Sequence, residues 1–140
     1  MKKQIYIING PNLNLTGRRE KDIYGNQSFG DFIKVLTKKY SDKCILHYFQ
    51  SNSEGAIIDK LQEIGFQSDG IIINAGAYSH TSIAIADAVC AINAKVIEVH
   101  LSNIFQREEY RHHSYITKHA KGIICGFGLS GYEMALNQLI

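Results

Sequence analysis

Five short runs of apolar, mostly β-branched residues divide the chain, and the segments between them repeat their apolar residues at helical spacing. Strands that alternate with helices build βαβ units, in which the strands lie parallel in one sheet. In the first helical segment, Phe29, Phe32, Ile33 and Leu36 fall on one face. The predicted strands are 5–8, 45–49, 70–75, 95–100 and 121–128, and the predicted helices are 28–40, 53–64, 81–93 and 131–140.

This alternation predicts an α/β fold. Crossovers between parallel strands are right-handed, which leaves few topologies for five strands. A chain of 140 residues then fits a flavodoxin-like, doubly wound parallel sheet with strand order 2-1-3-4-5 and helices on both faces. No repeat, linker or low-complexity segment divides the chain, so residues 1–140 are predicted to form a single domain.

Composition narrows the class of protein. Apolar residues make up 45% of the chain and charged residues 20%, as in soluble globular proteins. The net charge of +2 and the scattered basic residues argue against a nucleic-acid partner. No apolar run approaches the roughly 20 residues that span a membrane, and the apolar part of the N-terminus is too short for a signal peptide. Three distant cysteines without a C-x-x-C pair favour reduced thiols and a cytoplasmic location.

Segment 9–25, which follows the first predicted strand, has the most unusual composition. It holds the only proline of the chain, three asparagines, two adjacent arginines and Tyr24. Long loops in compact domains are usually functional unless they are disordered. Because Asn, Arg and Tyr recognise ligands, we expect a binding loop with a lid at about residues 18–25. A solvated surface loop is the alternative.

Ligands of such sheets bind beyond the carboxyl ends of the strands, near the point where the strand order reverses. Polar and titratable residues follow four of the five predicted strands, so we expect them to converge at one edge of the sheet. Segment 50–54, after the second strand, is polar but holds no obvious catalyst. The converging segments are 9–12, 74–82, 98–103 with 107–113, and 126–131.

Glu98 and His100 are the clearest candidate for acid–base chemistry. Residues two apart on a strand point to the same face. A carboxylate beside an imidazole fixes its tautomer and suits a general acid near neutrality. A lone histidine at a strand end is often only a hydrogen-bonded core residue, but the neighbouring glutamate favours catalysis.

Two further groups have both a structural and a functional interpretation. His80 lies at a predicted helix start, which is either a capping turn or an amide-rich pocket for an anionic ligand, and Asp87 lies two turns along the same face. Arg107 and Arg111 are spaced i, i+4 around two glutamates, as on a surface helix with ion pairs. The arginine fork also matches a carboxylate, so the pair could bind an acidic substrate.

Other motifs are less informative. The G-x-G-x-x-G pattern at 126–131 predicts a tight turn and close helix packing, because no strand or ribose-binding acid follows it. Adjacent histidines rarely face one ion, and no His, Asp and Glu trio has ligand spacing, so no metal is expected. A thiol nucleophile, a lysine Schiff base and a serine hydrolase built on Ser102 each lack a needed partner or position.

Four stretches together resemble the type II 3-dehydroquinate dehydratases: NGPNLNLTGRRE with a following Tyr-Gly, NAGAYSHTS, EVHLSNIFQREEYRHHS and GFGLSGY. The resemblance covers essentially the whole chain. It implies a flavodoxin-like fold, neither metal nor organic cofactor, and assembly as a dodecamer of trimers. It also implies conversion of 3-dehydroquinate to 3-dehydroshikimate and water, in the shikimate pathway or in quinate catabolism.

The resemblance also implies roles for individual residues. Tyr24 would be the base that removes the C2 proton, and Arg19 would keep it ionised. His100, oriented by Glu98, would protonate the departing C1 hydroxyl. Asn12 would hold the water or oxygen that carries the enolate charge. The implied substrate-binding residues are Asn74, His80, Leu101, Ser102, Arg107 and Arg111, with Asp87 reaching in from a neighbouring subunit.

Elementary chemistry agrees with these roles. An unperturbed tyrosine has a pKa of about 10, and a guanidinium within about 4–6 Å favours the phenolate. A base on a loop and an acid on a strand end could approach opposite faces of the substrate, which gives an anti elimination through an enolate. The alternative is a non-catalytic flavodoxin-like module that binds a nucleotide or an anion, which would leave Arg19, Tyr24 and the Glu98–His100 pair without a role.

Overall fold

The computed structural model describes residues 1–18 and 27–140. Five parallel strands form one sheet in the order β2-β1-β3-β4-β5. The strands are β1 Lys3–Asn9, β2 Cys44–Gln50, β3 Gly70–Asn74, β4 Lys95–His100 and β5 Gly122–Cys125. The helices are α1 Phe29–Lys39, α2 Glu54–Ile64, α3 Ile83–Ala91 and α4 Ser130–Asn137. The predicted fold class and strand order are confirmed.

Successive residues of the strands enter two separate cores because the sheet is covered on both faces. Ile5, Ile7 and Ile72 belong to the core under α1 and α4, whereas Ile71 and Ile73 belong to the core under α2 and α3. All five residues of β3 are buried. This burial explains why the central strands appear as continuous apolar runs instead of an apolar–polar alternation.

Serine side chains define where three helices begin. The Ser28 hydroxyl accepts a hydrogen bond from the backbone of Asp31, and the Ser53 hydroxyl accepts one from Ala56. Ser82 does the same for Ile85 at the start of α3. A serine that accepts from the third helical amide satisfies one of the donors that a helix start leaves unpaired. No helix in the part of the chain that the structure describes is long and apolar enough to cross a membrane.

The ends of β1 and β3 lie side by side, and the backbone segments that follow them are in close contact. The backbone N–H of Gly10 donates to the carbonyl of Asn74 at 2.7 Å. A Cβ atom at Gly10 would lie only 2.4 Å from the Ala75 carbonyl oxygen. The connections that leave β1 and β3 run to opposite sides of the sheet, so a crevice opens between these two strand ends.

We expect Gly10→Ala to destabilise the fold by about 2–3 kcal/mol, because the added methyl group overlaps a backbone atom that cannot move without breaking strand pairing. The measurement is the midpoint of urea unfolding. Gly30→Ala is the matched control, since a Cβ there meets nothing within 4 Å and the position lies inside α1. That variant should be more stable than the parent by about 0.5–1 kcal/mol. Equal stability of the two variants would contradict the close approach at Gly10.

Candidate active site

A cleft of about 680 Å³, counted out to its open mouth, lies beyond the carboxyl ends of β1, β3 and β4. Eight of the residues singled out from the sequence line it, although they come from three separate strand ends. These are Asn12, Asn74, His80, His100, Leu101, Ser102, Arg107 and Arg111. The predicted convergence is therefore found for the segments after β1, β3 and β4, whereas no residue of segment 126–131 lines this cleft.

Asn12 is presented to the cleft by a strained backbone. Its φ of 68° and ψ of −5° lie in the left-handed region, which asparagine tolerates better than most residues. Its backbone N–H donates to Asn52 Oδ1 at 3.1 Å, and Gln50 Nε2 donates to that same oxygen at 3.2 Å. The hydroxyl of Tyr78 donates to the Asn52 carbonyl at 2.8 Å. Segment 50–54, which has no obvious catalyst, thus fixes the position of Asn12.

His100 and Glu98 are hydrogen bonded, as their spacing predicts. The distance between His100 Nε2 and Glu98 Oε2 is 2.5 Å, and both side chains are almost completely buried. An ionised carboxylate only accepts hydrogen bonds, so Nε2 of His100 must carry a proton. Nδ1 is therefore the ring nitrogen that remains for a ligand.

Two hydroxyls complete the surroundings of the buried carboxylate. Ser114 Oγ donates to Glu98 Oε2 at 2.7 Å, and Thr117 Oγ1 donates to Glu98 Oε1 at 2.5 Å. Burial by itself would raise the pKa of Glu98, but the hydrogen bonds from His100, Thr117 and Ser114 outweigh it and hold the pKa below its usual value. The carboxylate stays ionised and stabilises positive charge on the imidazole.

His80 faces the same cleft from a 3-10 turn. The prediction that His80 begins an α-helix is wrong, because the turn spans Gly76–His80 and α3 begins only after the Ser82 cap. Asp87 consequently does not share a helix face with His80. It lies on the exposed side of α3 and is not among the residues that line this cleft.

The protonation of His80 follows from its contacts. Its Nδ1 lies 2.8 Å from the His113 carbonyl oxygen, which can only accept, so Nδ1 donates, and Nε2 is an acceptor when the ring is neutral. Burial lowers the pKa of His80 below its ordinary value, and the neighbouring His100 and Arg111 add to this effect. The His80 and His100 rings stack with centroids 5.7 Å apart.

Arg107 and Arg111 do not share a helix, contrary to the surface-helix interpretation. They follow or end two separate 3-10 turns, Ile104–Gln106 and Glu109–Arg111. Both nevertheless pair with Glu108, at 3.8 Å from Arg107 Nε and 2.7 Å from Arg111 Nε. Arg107 Nη1 also donates to the Ser102 hydroxyl at 3.4 Å. The pairing arranges two guanidinium groups along one wall of the cleft, where they favour an anionic ligand.

The glycine-rich segment turns the chain and packs α4, as predicted. Gly126 and Gly128 have φ values of 97° and 59°, which favour glycine. The backbone N–H of Gly128 donates to the Leu101 carbonyl at 2.9 Å. A Cβ at Gly131 would already touch Val99 at 3.3 Å. The turn therefore holds the strand end that leads to Leu101 and Ser102.

Two predictions on the binding loop lie outside the described residues. Arg19 and Tyr24 belong to residues 19–26, so the structure does not place them. Within residues 1–18 and 27–140, no group of three or more His, Cys, Asp or Glu side chains could hold a metal ion.

We expect Thr117→Val to destabilise the fold by about 2 kcal/mol at neutral pH, because a buried charge loses a hydrogen bond. The folded-state pKa of Glu98 lies below its unfolded value, so its ionisation stabilises the fold above the unfolded pKa. That contribution is lost as the pH falls through the folded pKa. Removal of a donor raises the folded pKa toward the unfolded value, so the variant should lose less stability than the parent as the pH falls, and the difference between the two proteins should shrink.

The measurement is the urea midpoint from about pH 7 down to about pH 4. Thr37→Val is the control, since Thr37 lies exposed on α1. A parallel pH dependence in parent, Thr37→Val and Thr117→Val would show that Thr117 does not support the charge of Glu98.

The family model "Dehydroquinase class II" matches residues 3–140. Over 137 residues the chain is 53% identical to "3-dehydroquinate dehydratase" of Prochlorococcus marinus (strain MIT 9301), covering 97% of this chain and 93% of that protein. It is 49% identical to the protein of that name from Synechococcus sp. (strain CC9605), over 97% of this chain and 94% of the relative.

A solved structure gives the same result. The type II dehydroquinase of Butyrivibrio crossotus DSM 2876 superposes with a TM-score of 0.95 at 48% sequence identity, over 99% of this chain and 97% of that one. The family model, the similar sequences and the shared architecture all agree with the resemblance seen in the sequence motifs. This chain belongs to the class II dehydroquinase family.

Proposed function

We propose that the strand-end cleft and the loop after β1 carry out the reaction of this family, in which 3-dehydroquinate loses water to give 3-dehydroshikimate. The activity follows from the family and from relatives named 3-dehydroquinate dehydratase. The proposal concerns how the residues of this chain perform it. The observation that supports it most is the buried Glu98–His100 pair at the wall of a cleft that also holds two arginines.

His100 is the proposed acid. Its Nε2 proton is held by Glu98, so the proton delivered to the departing C1 hydroxyl comes from Nδ1 of an imidazolium. The ionised carboxylate stabilises that imidazolium before transfer and keeps the ring oriented after it. Ser114 and Thr117 assist by keeping the carboxylate charged.

Tyr24 is the proposed base, with Arg19 as the group that keeps it ionised. Both lie between Arg18 and Gln27, the residues on either side of the undescribed segment, and residues 1–18 run directly into the cleft through Asn12. A phenol with an ordinary pKa of about 10 is a poor base at neutrality, and an adjacent guanidinium shifts it toward the phenolate. A base delivered by this segment and an acid on β4 would approach opposite faces of the ring, giving the anti elimination through an enolate.

The remaining cleft residues are proposed to bind and orient the substrate. Asn12 would hold the water or oxygen on which enolate charge develops, because its position is fixed by Asn52. Neutral His80 offers an acceptor nitrogen to a substrate hydroxyl. The other proposed contacts to hydroxyls and carboxylate come from Asn74, Leu101, Ser102, Arg107 and Arg111.

We expect Tyr24→Phe and His100→Ala each to lower kcat by about 100-fold or more, since removal of a general acid or base costs this much. The assay follows the absorbance of the conjugated enone of 3-dehydroshikimate, and substrate binding should persist in both variants.

Matched controls are Tyr40→Phe and His47→Ala, which do not line the cleft. Near-normal turnover in Tyr24→Phe would refute the role of Tyr24 as the base. Near-normal turnover in His100→Ala would refute the role of His100 as the acid. Absence of enone formation by the parent would instead favour the non-catalytic nucleotide- or anion-binding alternative.

We further propose that residues 1–140 act as one catalytic domain in the cytoplasm and assemble as a dodecamer of trimers. Asp87, which is exposed on α3 and absent from the cleft of its own chain, would then reach the site of a neighbouring subunit. Light scattering on the purified protein should give the mass of twelve chains. A monomeric mass with full activity would refute both the assembly and the role of Asp87.

A further inference from the structure

A chain of three hydrogen bonds runs below the floor of the cleft. The backbone N–H of Gly76 donates to Asn74 Oδ1 at 3.1 Å, and Asn74 Nδ2 donates to the hydroxyl of Tyr132 at 2.9 Å. The Tyr132 hydroxyl donates in turn to Asn9 Oδ1 at 2.7 Å. Tyr132 and Asn9 are completely buried, and Asn74 is nearly so.

The direction of this chain is fixed by chemistry. A backbone N–H can only donate, so the oxygen of the Asn74 amide must face Gly76 and its nitrogen must face Tyr132. The Tyr132 oxygen then accepts, and its single proton is free to go to Asn9. A flipped Asn74 amide would place its NH₂ group against the Gly76 N–H, which leaves two buried donors facing each other.

This direction determines what Asn74 offers to a ligand. The hydrogen bonds among the described residues use one of the two Nδ2 protons of Asn74. Asn74 also lines the cleft, so its second amide proton is the polar group left for a substrate oxygen. We propose that Tyr132 is a positioning residue, whose buried hydroxyl holds the Asn74 nitrogen while the Gly76 N–H holds its oxygen, so that the second N–H of the amide is presented to the substrate.

The hydroxyl and not the ring carries this role. The ring packs edge-on against Phe29 with centroids 4.9 Å apart, a contact that phenylalanine would keep. Burial raises the pKa of Tyr132 well above its ordinary value. The phenol therefore remains neutral and keeps the proton with which it donates a hydrogen bond to Asn9. A group that served packing alone would not need an oxygen in a site that excludes water.

The inference rests on the proposed function for the identity of the ligand, and steady-state kinetics with 3-dehydroquinate tests it. In Tyr132→Phe, the Asn74 amide loses the acceptor that fixes its nitrogen. We expect kcat/KM to fall about tenfold, the equivalent of one hydrogen bond, with the loss carried by KM and kcat within about threefold of the parent. The pH profile should keep its shape, because Glu98 and His100 are untouched. An unchanged KM in folded Tyr132→Phe would overturn the proposal.

Tyr40→Phe is a closely matched control. The Tyr40 hydroxyl also donates to a side-chain oxygen, Glu133 Oε1 at 2.7 Å, and also accepts from an asparagine amide, Asn137 Nδ2 at 3.2 Å. It too is buried beside α4, but it does not line the cleft. The control should lose comparable stability and retain the parent KM. An equal rise in KM in both variants would show that Tyr132 has only a structural role.

A double-mutant cycle separates action through Asn74 from any other route. If Tyr132 acts through Asn74, Tyr132→Phe should change KM by less than twofold in the Asn74→Ala background. If the double variant instead changes KM by the product of the two single-variant factors, the proposal is overturned.

A measurement without turnover keeps the inference independent of the proposed function. In the NMR spectrum of the protein, the side-chain amide protons of Asn74 should exchange with solvent at least about tenfold faster in Tyr132→Phe than in the parent or in Tyr40→Phe. Unchanged exchange would refute the positioning role. Lack of dehydratase activity in the parent, together with the expected exchange, would refute only the function.

Discussion

The buried charge of Glu98 determines how the 20 or so residues after β4 are arranged. A fully buried carboxylate must be hydrogen bonded at both oxygens, or it gives up its charge. Ser114 and Thr117 supply these bonds, which requires the chain to fold back over β4 before it enters β5. The same return brings the His113 carbonyl to His80 and the Tyr115 amide to the Ser79 carbonyl. The same segment therefore supports the Glu98–His100 pair and holds His80 at the cleft.

In the described part of the site, the strand ends carry the residues that line the cleft, and other segments orient those residues. Asn12, Asn74 and His100 extend from β1, β3 and β4, whose positions are set by the two cores of the sheet. Each of the three is then oriented by a polar residue outside the cleft: Asn52, Tyr132 and Glu98 respectively. Groups held in this way, Asn12 through its backbone and Asn74 and His100 through their side chains, need little reorganisation when a ligand arrives.

Local patterns in the sequence were sufficient for the fold and for part of the site. Apolar periodicity gave the five strands, and the crossover rules together with the chain length favoured the flavodoxin-like strand order. The Glu98–His100 contact followed from a spacing of two residues on a strand. The supporting groups had no such signal, because Ser114 and Thr117 are 16 and 19 residues from Glu98 and Tyr132 is 58 residues from Asn74. Contacts of that range depend on the tertiary fold. The placement of His80 on α3 failed because the serine cap starts the helix three residues later.

The stacked imidazoles of His80 and His100 limit how much positive charge the cleft can hold. With ring centroids 5.7 Å apart and two arginines on the adjacent wall, a second imidazolium would meet strong repulsion. Burial keeps the pKa of His80 below its ordinary value, although the hydrogen bond from Nδ1 to the His113 carbonyl acts in the opposite direction. A positive charge on His80 is therefore disfavoured beside the imidazole that Glu98 contacts.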